Sequence, residues 1–283
     1  MTHHLAHTYL EERLPQPGHL RIFVRSWRPT ATTRAIVVIC HGVNSHGGQY
    51  IATAEKLADA GLAVYTLDLR GRGRSDGPRF YVEDIDDYVA DVDATIRLAK
   101  SRDRGLPLFL LGHSAGGVVS TTYALDHSSE LAGLICESFA YRVPAPKLVL
   151  NLVKAISHVA PRVPVLKLKN RDFTRDPEAL AALEADPMIL NEAQPAATVA
   201  ALTRANERLE RSFGQITLPV FILHGTADRA TLPAGSEQFA RDAGSKDKTL
   251  RLYDGHVHDL LADLGREIVL TDILNWINAR IAT

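Results

Sequence analysis

Apolar positions recur along this chain in two alternating rhythms. Short apolar runs at residues 19–27, 34–40, 62–69, 106–111, 131–137, 218–224 and 248–253 read as strands. Between most of the later runs lie segments of helical period, at 49–60, 84–100, 115–126, 233–241 and 265–280. From Arg34 onward the strand runs are nearly continuous rather than alternating, the pattern of strands covered by helices on both faces. The alternation therefore predicts an α/β fold: a mostly parallel, doubly wound sheet with right-handed crossovers.

One stretch breaks the rhythm. From 141 to 213 the pattern is helical and strand-poor, punctuated by Pro144, Pro146, Pro161, Pro164, Pro177, Pro187 and Pro195. A structureless loop of that length is improbable in a compact domain, so the stretch reads as a helical lid inserted in the core. The expected division is 1–140 for the first part of the core, 141–213 for the lid and 214–283 for the second part. Within the lid, 142–171 carries Arg142, Lys147, Lys154, Arg162, Lys167, Lys169 and Arg171 and no acidic residue. Leu148, Val149, Leu150, Leu152, Val153, Ile156 and Val159 are interleaved with those charges. Such a segment suits peripheral contact with a membrane surface, or the guiding of an acyl chain. The plainer alternative is a lid whose apolar face packs on its own core and whose lysines are solvated. Acidic residues between 172 and 192 would offset the charge and keep membrane affinity modest.

Composition narrows the classes. The chain has 283 residues, enough for a sizeable core, with 46% hydrophobic residues and a formal net charge of -1. Nucleic-acid binding is excluded, because its footprint is a basic excess. No run of 18 apolar residues marks a transmembrane helix. The start, Met1-Thr-His-His-Leu-Ala-His7, lacks the basic and apolar regions of a signal peptide and reads as a disordered polar end. His3, His4 and His7 are accordingly given no metal role. Cys40 and Cys136 fall inside apolar runs and read as buried thiols, which fits a cytoplasmic protein. No cofactor or metal is expected, and the oligomeric state is left open.

The chemistry gathers at strand ends. The apolar run at 106–111 breaks into Gly112-His-Ser-Ala-Gly116 and restarts as a helix of small residues. This is the strand–turn–helix setting in which G-x-S-x-G presents a nucleophile, here Ser114. The following helix aims its N-terminal N–H groups at any oxyanion formed there, with Ala115 supplying one donor. The second donor is expected from Val43, in the turn His41-Gly-Val-Asn-Ser-His46 after an earlier strand. His41, Asn44, Ser45, His113 and Leu261 are expected to contact substrate. A serine needs a base, and the base an orienting acid. Phe221-Ile-Leu-His-Gly-Thr-Ala-Asp228 and Leu252-Tyr-Asp-Gly-His-Val-His258 supply Asp228 and His258 in the order Ser, acid, His. Glu137 is a rival acid and His256 a rival base. The loop Asp68-Leu-Arg-Gly-Arg-Gly-Arg-Ser-Asp-Gly77-Pro78 is spaced wrongly for a dinucleotide and reads as a turn braced by Arg70, Arg72 and Arg74.

Taken jointly, these motifs resemble the monoacylglycerol lipase and lysophospholipase group of the α/β-hydrolase superfamily, over nearly the whole chain. The resemblance implies an α/β-hydrolase fold, favours His258 over His256 through the Tyr253-Asp-Gly-x-x-His258 spacing, and implies that the lid admits single acyl chains. In the better-understood members a glutamate, an arginine and a second histidine hold the glycerol head. Ser45, Gln49 and Leu261 stand at those positions here, so the glycerol clamp is not carried over. The expectation is a cofactor-independent serine hydrolase acting through an acyl-enzyme on carboxylic esters with one lipophilic acyl chain. Its alternatives are a lysophospholipase, thioesterase or acyltransferase with the same triad, or a binding protein that does no chemistry.

Overall fold

The computed structural model describes residues 7–281. Its first half runs β1 (His7–Pro15), β2 (Arg21–Pro29), β3 (Ala35–Cys40), α1 (Ile51–Asp59), β4 (Leu62–Asp68), α2 (Ile85–Arg102), β5 (Leu108–His113), α3 (Ala115–Asp126) and β6 (Gly133–Glu137). An insertion follows, with α4 (Lys147–Val159), β7 (Pro164–Leu166), α5 (Pro177–Ala185), β8 (Gln194–Pro195) and α6 (Ala196–Ser212). The chain then returns to the sheet through β9 (Val220–Gly225), α7 (Pro233–Asp242), β10 (Lys248–Tyr253) and α8 (Arg266–Ile281). The sheet order is β1-β2-β4-β3-β5-β6-β9-β10, parallel from β4 onward, with β1 and β2 antiparallel at one edge.

Successive strand residues face opposite sides, and this divides the core into two apolar layers. Ile36, Val38, Leu108 and Leu110 face α2, α3 and α6, whereas Val37, Ile39, Phe109 and Leu111 face α1 and α8. The helices fit these layers by their spacing. In α8 the buried positions are Val269, Leu270, Ile273, Trp276 and Ile277, one stripe at helical period. The helix α2 is capped by the Asp84 carboxylate, which accepts the Asp86 N–H at 3.0 Å, and carries Lys100 and Arg102 at its end. Every residue of α3 from Ala115 to Ala124 is buried, which explains its run of small side chains.

Three differences from the sequence pattern have physical causes. An edge strand precedes the first one expected: β1 pairs with β2 along its whole length, and His7, read as part of the polar end, begins it with its Nδ1 3.1 Å from Asp59 Oδ1. The side chains of β1 are mostly exposed, so it carries no apolar run to be read. His3 and His4 lie outside the described residues. At the other edge β10 is largely exposed rather than covered on both faces, with Lys248 and Arg251 along it, as suits an edge that must not aggregate. The insertion contains a two-stranded ladder, β7 with β8, too short to show in a pattern of periods. Cys40 and Cys136 are free and buried, and burial pushes both thiols up to about 12.

Candidate active site

The C-terminal ends of β3, β5, β9 and β10 open on one rim of the parallel sheet, where such folds bind ligands. At the tip of β5, Ser114 takes φ 56° and ψ -120°, a left-handed conformation that costs a non-glycine residue energy. The surroundings over-determine it: Ser114 N–H donates to Glu137 O at 2.8 Å, and Ser114 O accepts from Gly117 at 3.0 Å and Ala140 at 3.2 Å. Two glycines permit the close approach. A Cβ on Gly116 would stand 2.2 Å from Cys40 O, and one on Gly42 would stand 2.8 Å from Ser114 Cβ.

Asp228 leaves β9 fully engaged. Its Oδ2 takes His258 Nδ1 at 2.8 Å, Thr231 Oγ1 at 2.7 Å and His224 Nε2 at 3.0 Å. Its Oδ1 accepts the N–H groups of Ala230 at 2.8 Å and Thr231 at 3.0 Å. Burial opposes ionisation, but the neighbouring His258 and these hydrogen bonds override it and hold the carboxyl well below the usual carboxylate range. His258 is fully buried, its ring 4.9 Å from those of both His113 and Phe173. Its Nε2 has no hydrogen-bond partner among the described residues, so no bond to Ser114 is made in this resting geometry. The sequence reading missed His224, Thr231 and Phe173. They carry no motif, and only the turn at Asp228 and the packing of the insertion bring them in.

Ser114, Val43 and Ala115 form one wall of a cavity of about 680 Å³, whose other walls include Leu150, Val153, Leu168 and Leu202 from the insertion. Neither the Val43 nor the Ala115 N–H has an acceptor among the described residues, and Ala115 begins α3, where the helix dipole favours negative charge. His41 Nδ1 meets Gly42 O at 2.7 Å, and its Nε2 accepts the Leu69 N–H at 3.0 Å. The Gly42 carbonyl shares its peptide plane with the Val43 N–H, so His41 orients that donor.

The residues expected to touch substrate are placed elsewhere. His41, Asn44, Ser45, His113 and Leu261 are buried and none lines the cavity. Asn44 N–H donates to Glu192, His113 Nδ1 meets Tyr50 OH at 2.9 Å, and Leu261 N–H donates to Glu137 Oε1 at 3.2 Å. Side chains this close to the Ser114 and Val43 turns are taken up in packing and in holding the turns themselves. Glu137 faces the Leu261 backbone rather than His258, and burial with Asp259 nearby raises its carboxyl well above the ordinary range. His256 sits 3.5 Å from Asp263, away from Asp228. In the arginine-rich loop Arg70 pairs with Asp91 at 2.7 Å and Arg74 with Glu11 at 2.7 Å, but Arg72 is buried against Glu192 of the insertion.

A strained serine, a buried aspartate–histidine pair and two free N–H donors beside an apolar cavity define an enzyme of the α/β-hydrolase class, a serine ester hydrolase of lipase and esterase type. The chain belongs to the serine aminopeptidase S33 family of hydrolases, whose profile matches residues 31–265. It is 33% identical over 263 residues to a monoacylglycerol lipase of Mycolicibacterium smegmatis, covering 92% of this chain and 94% of that protein. With the monoglyceride lipase of Homo sapiens it shares 30% identity over 267 residues, 93% of this chain and 88% of the other. The crystal structure of Paleococcus ferrophilus monoacylglycerol lipase superposes with a TM-score of 0.82 at 27% identity, covering 92% of this chain and 99% of that one. Among the described residues no helix is long and apolar enough to cross a membrane.

Proposed function

We propose that the protein hydrolyses carboxylic esters bearing one lipophilic acyl chain, through an acyl-enzyme on Ser114. The observation that carries this is the 2.8 Å contact of His258 with Asp228 beside a serine that opens into an apolar-walled cavity. Ser114 Oγ attacks the ester carbonyl carbon and its proton passes to His258 Nε2, which is unengaged and free to take it. The Val43 and Ala115 N–H groups stabilise the oxyanion of the tetrahedral intermediate. His258 returns the proton to the departing alcohol as the C–O bond breaks. Water then adds to the acyl-enzyme by the same shuttle and releases the free acid and Ser114. Asp228, ionised throughout, fixes the His258 tautomer and balances the imidazolium.

The insertion at 141–213 acts as the lid over this cavity and as the membrane-facing part of the molecule. On α4, Leu148 is 80% and Leu152 59% exposed, so the apolar face of that helix does not all pack inward. Beside them, Lys147, Lys167 and Lys169 form no ion pair among the described residues, whereas Lys154 is held by Glu207. Apolar side chains flanked by unpaired cations suit an anionic lipid surface. The same observation favours a second reading of the head group. Lys147, Lys167, Lys169 and Arg229 border the cavity together with Asp172, Glu207 and Glu210, and the phosphate of a lysophospholipid head would meet the cations among them.

The test is labelling with a fluorophosphonate, followed by turnover across acyl lengths on glycerol, lysophospholipid and simple alkyl heads. Wild type is expected to label and Ser114→Ala not to, with kcat reduced by about 10⁴–10⁶-fold. Labelling or turnover that survives Ser114→Ala overturns the assignment. A preference for lysophospholipid over monoacylglycerol at equal acyl length decides for the second reading.

A further inference from the structure

The insertion meets the rim of the sheet at several points, Phe173 against the His258 ring among them, and one of them is a buried carboxylate. Glu192, between α5 and β8, is 3% exposed, and its Oε1 accepts the Asn44 N–H at 2.7 Å. The same oxygen takes the Arg72 guanidinium and, at 2.5 Å, the Gln194 amide. Arg72 in turn donates to Gln194 Oε1 at 2.7 Å and to the Tyr88 hydroxyl, on α2, at 3.3 Å. Every member of this group is buried, Asn44 being the most exposed at 4%. The ester chemistry uses none of them, and stability alone explains them poorly. Desolvating a buried ion pair offsets much of its attraction.

Their position supplies the reason. Asn44 follows Val43 and takes a left-handed φ of 57°, a conformation the loop must be held in. The peptide plane before Val43 is fixed by His41 on Gly42 O; the plane after it is fixed by Glu192 on the Asn44 N–H. With both planes set, the Val43 N–H has one direction. We propose that Glu192, held in place by Arg72, is a positioning residue for the Val43 oxyanion donor. Seating of the insertion over the rim therefore completes the oxyanion hole. This rests on the ester-hydrolase reading above and adds to it: the residue that sharpens transition-state stabilisation arrives with the lid and never meets substrate.

The experiment compares variants on p-nitrophenyl butyrate, with the affinity of a trifluoromethyl ketone that forms a tetrahedral adduct as a second readout. Glu192→Asp keeps the charge for Arg72 but withdraws the acceptor from Asn44 by one methylene. Glu192→Leu combined with Arg72→Met removes both charges, so neither is left buried alone. Glu192→Gln keeps an acceptor within reach of the Asn44 N–H at the cost of leaving Arg72 without its counter-charge, so its Tm falls while the Val43 donor stays aimed. The expected result is a kcat loss of about 10–100-fold in the first two, KM within about 2-fold, ketone affinity falling in step with kcat, and most activity retained in Glu192→Gln. If either of the first two folds with the wild-type Tm and keeps kcat and ketone affinity, or if KM alone changes, the proposal is wrong. Should the double variant not fold, Glu192→Asp decides. A wild type that neither turns over nor labels at Ser114 overturns the underlying reading instead, which separates the two failures.

Discussion

Asp228 is a carboxylate with no acceptor capacity to spare: three side chains and two backbone N–H groups converge on it. Replacing it with asparagine puts an amide NH₂ among those donors and forces His258 into the wrong tautomer. Steady-state kinetics on Asp228→Asn should show kcat lower by about 10³–10⁴-fold with little change in KM. The neighbouring carboxyl, Asp259, behaves in the opposite sense. Burial pushes it up to about 6, against the attraction of His258, so the folded protein binds its proton more tightly than the unfolded chain does. Stability from this group is therefore present at low pH and declines as pH rises from about 4 to about 6. Asp259→Asn, which keeps an acceptor for Ala262, should raise Tm by a few degrees at pH 8 and leave it nearly unchanged at pH 4, in paired melting curves. Ser114, Asp228 and His258, the residues proposed for the chemistry, stand out in the chain because each follows a strand in a turn with its own local signature. Glu192 does not. Its partners Asn44 and Arg72 lie 148 and 120 residues away, and nothing near Glu192 in the chain marks it as their neighbour.

Among elements, the β5–α3 junction is the least tolerant of change. Gly116 sits where a methyl group would collide with the carbonyls of Cys40 at 2.2 Å and His41 at 2.5 Å, both backbone atoms that cannot swing aside. Gly116→Ala should lower Tm and abolish fluorophosphonate labelling together, at a cost of about 1–3 kcal/mol if the chain folds at all. The central strands were legible because a strand covered on both faces must be apolar throughout, as β3 and β5 are. The same rule fails at the edges. The mostly exposed β1 leaves no apolar run to find, and β10, which does leave one, is nonetheless exposed along most of its length. Periodicity reports burial, and an element held mainly by its ladder of backbone hydrogen bonds leaves little periodicity to find.

For the molecule as a whole, the proposal that the insertion receives substrate from a lipid surface turns on how α4 is covered. The apolar positions of α4 were visible in the chain, but not which way they would face, since α6 could have covered them all. Val153 is covered and Leu148 and Leu152 are not. Leu148→Ser with Leu152→Ser should reduce flotation with anionic vesicles and slow turnover of long-chain esters presented in them. Hydrolysis of a dissolved short-chain ester should be unchanged, and an equal loss on both substrates would place those leucines in the fold's own packing instead.

The two cysteines offer a practical opening. Both thiols are shut inside the sheet and held protonated, so a maleimide dye should find nothing to react with on the native protein. A single cysteine introduced on the outer side of α4 would then carry a fluorophore at one known place, and its emission would report, molecule by molecule, whether that helix leaves water for lipid.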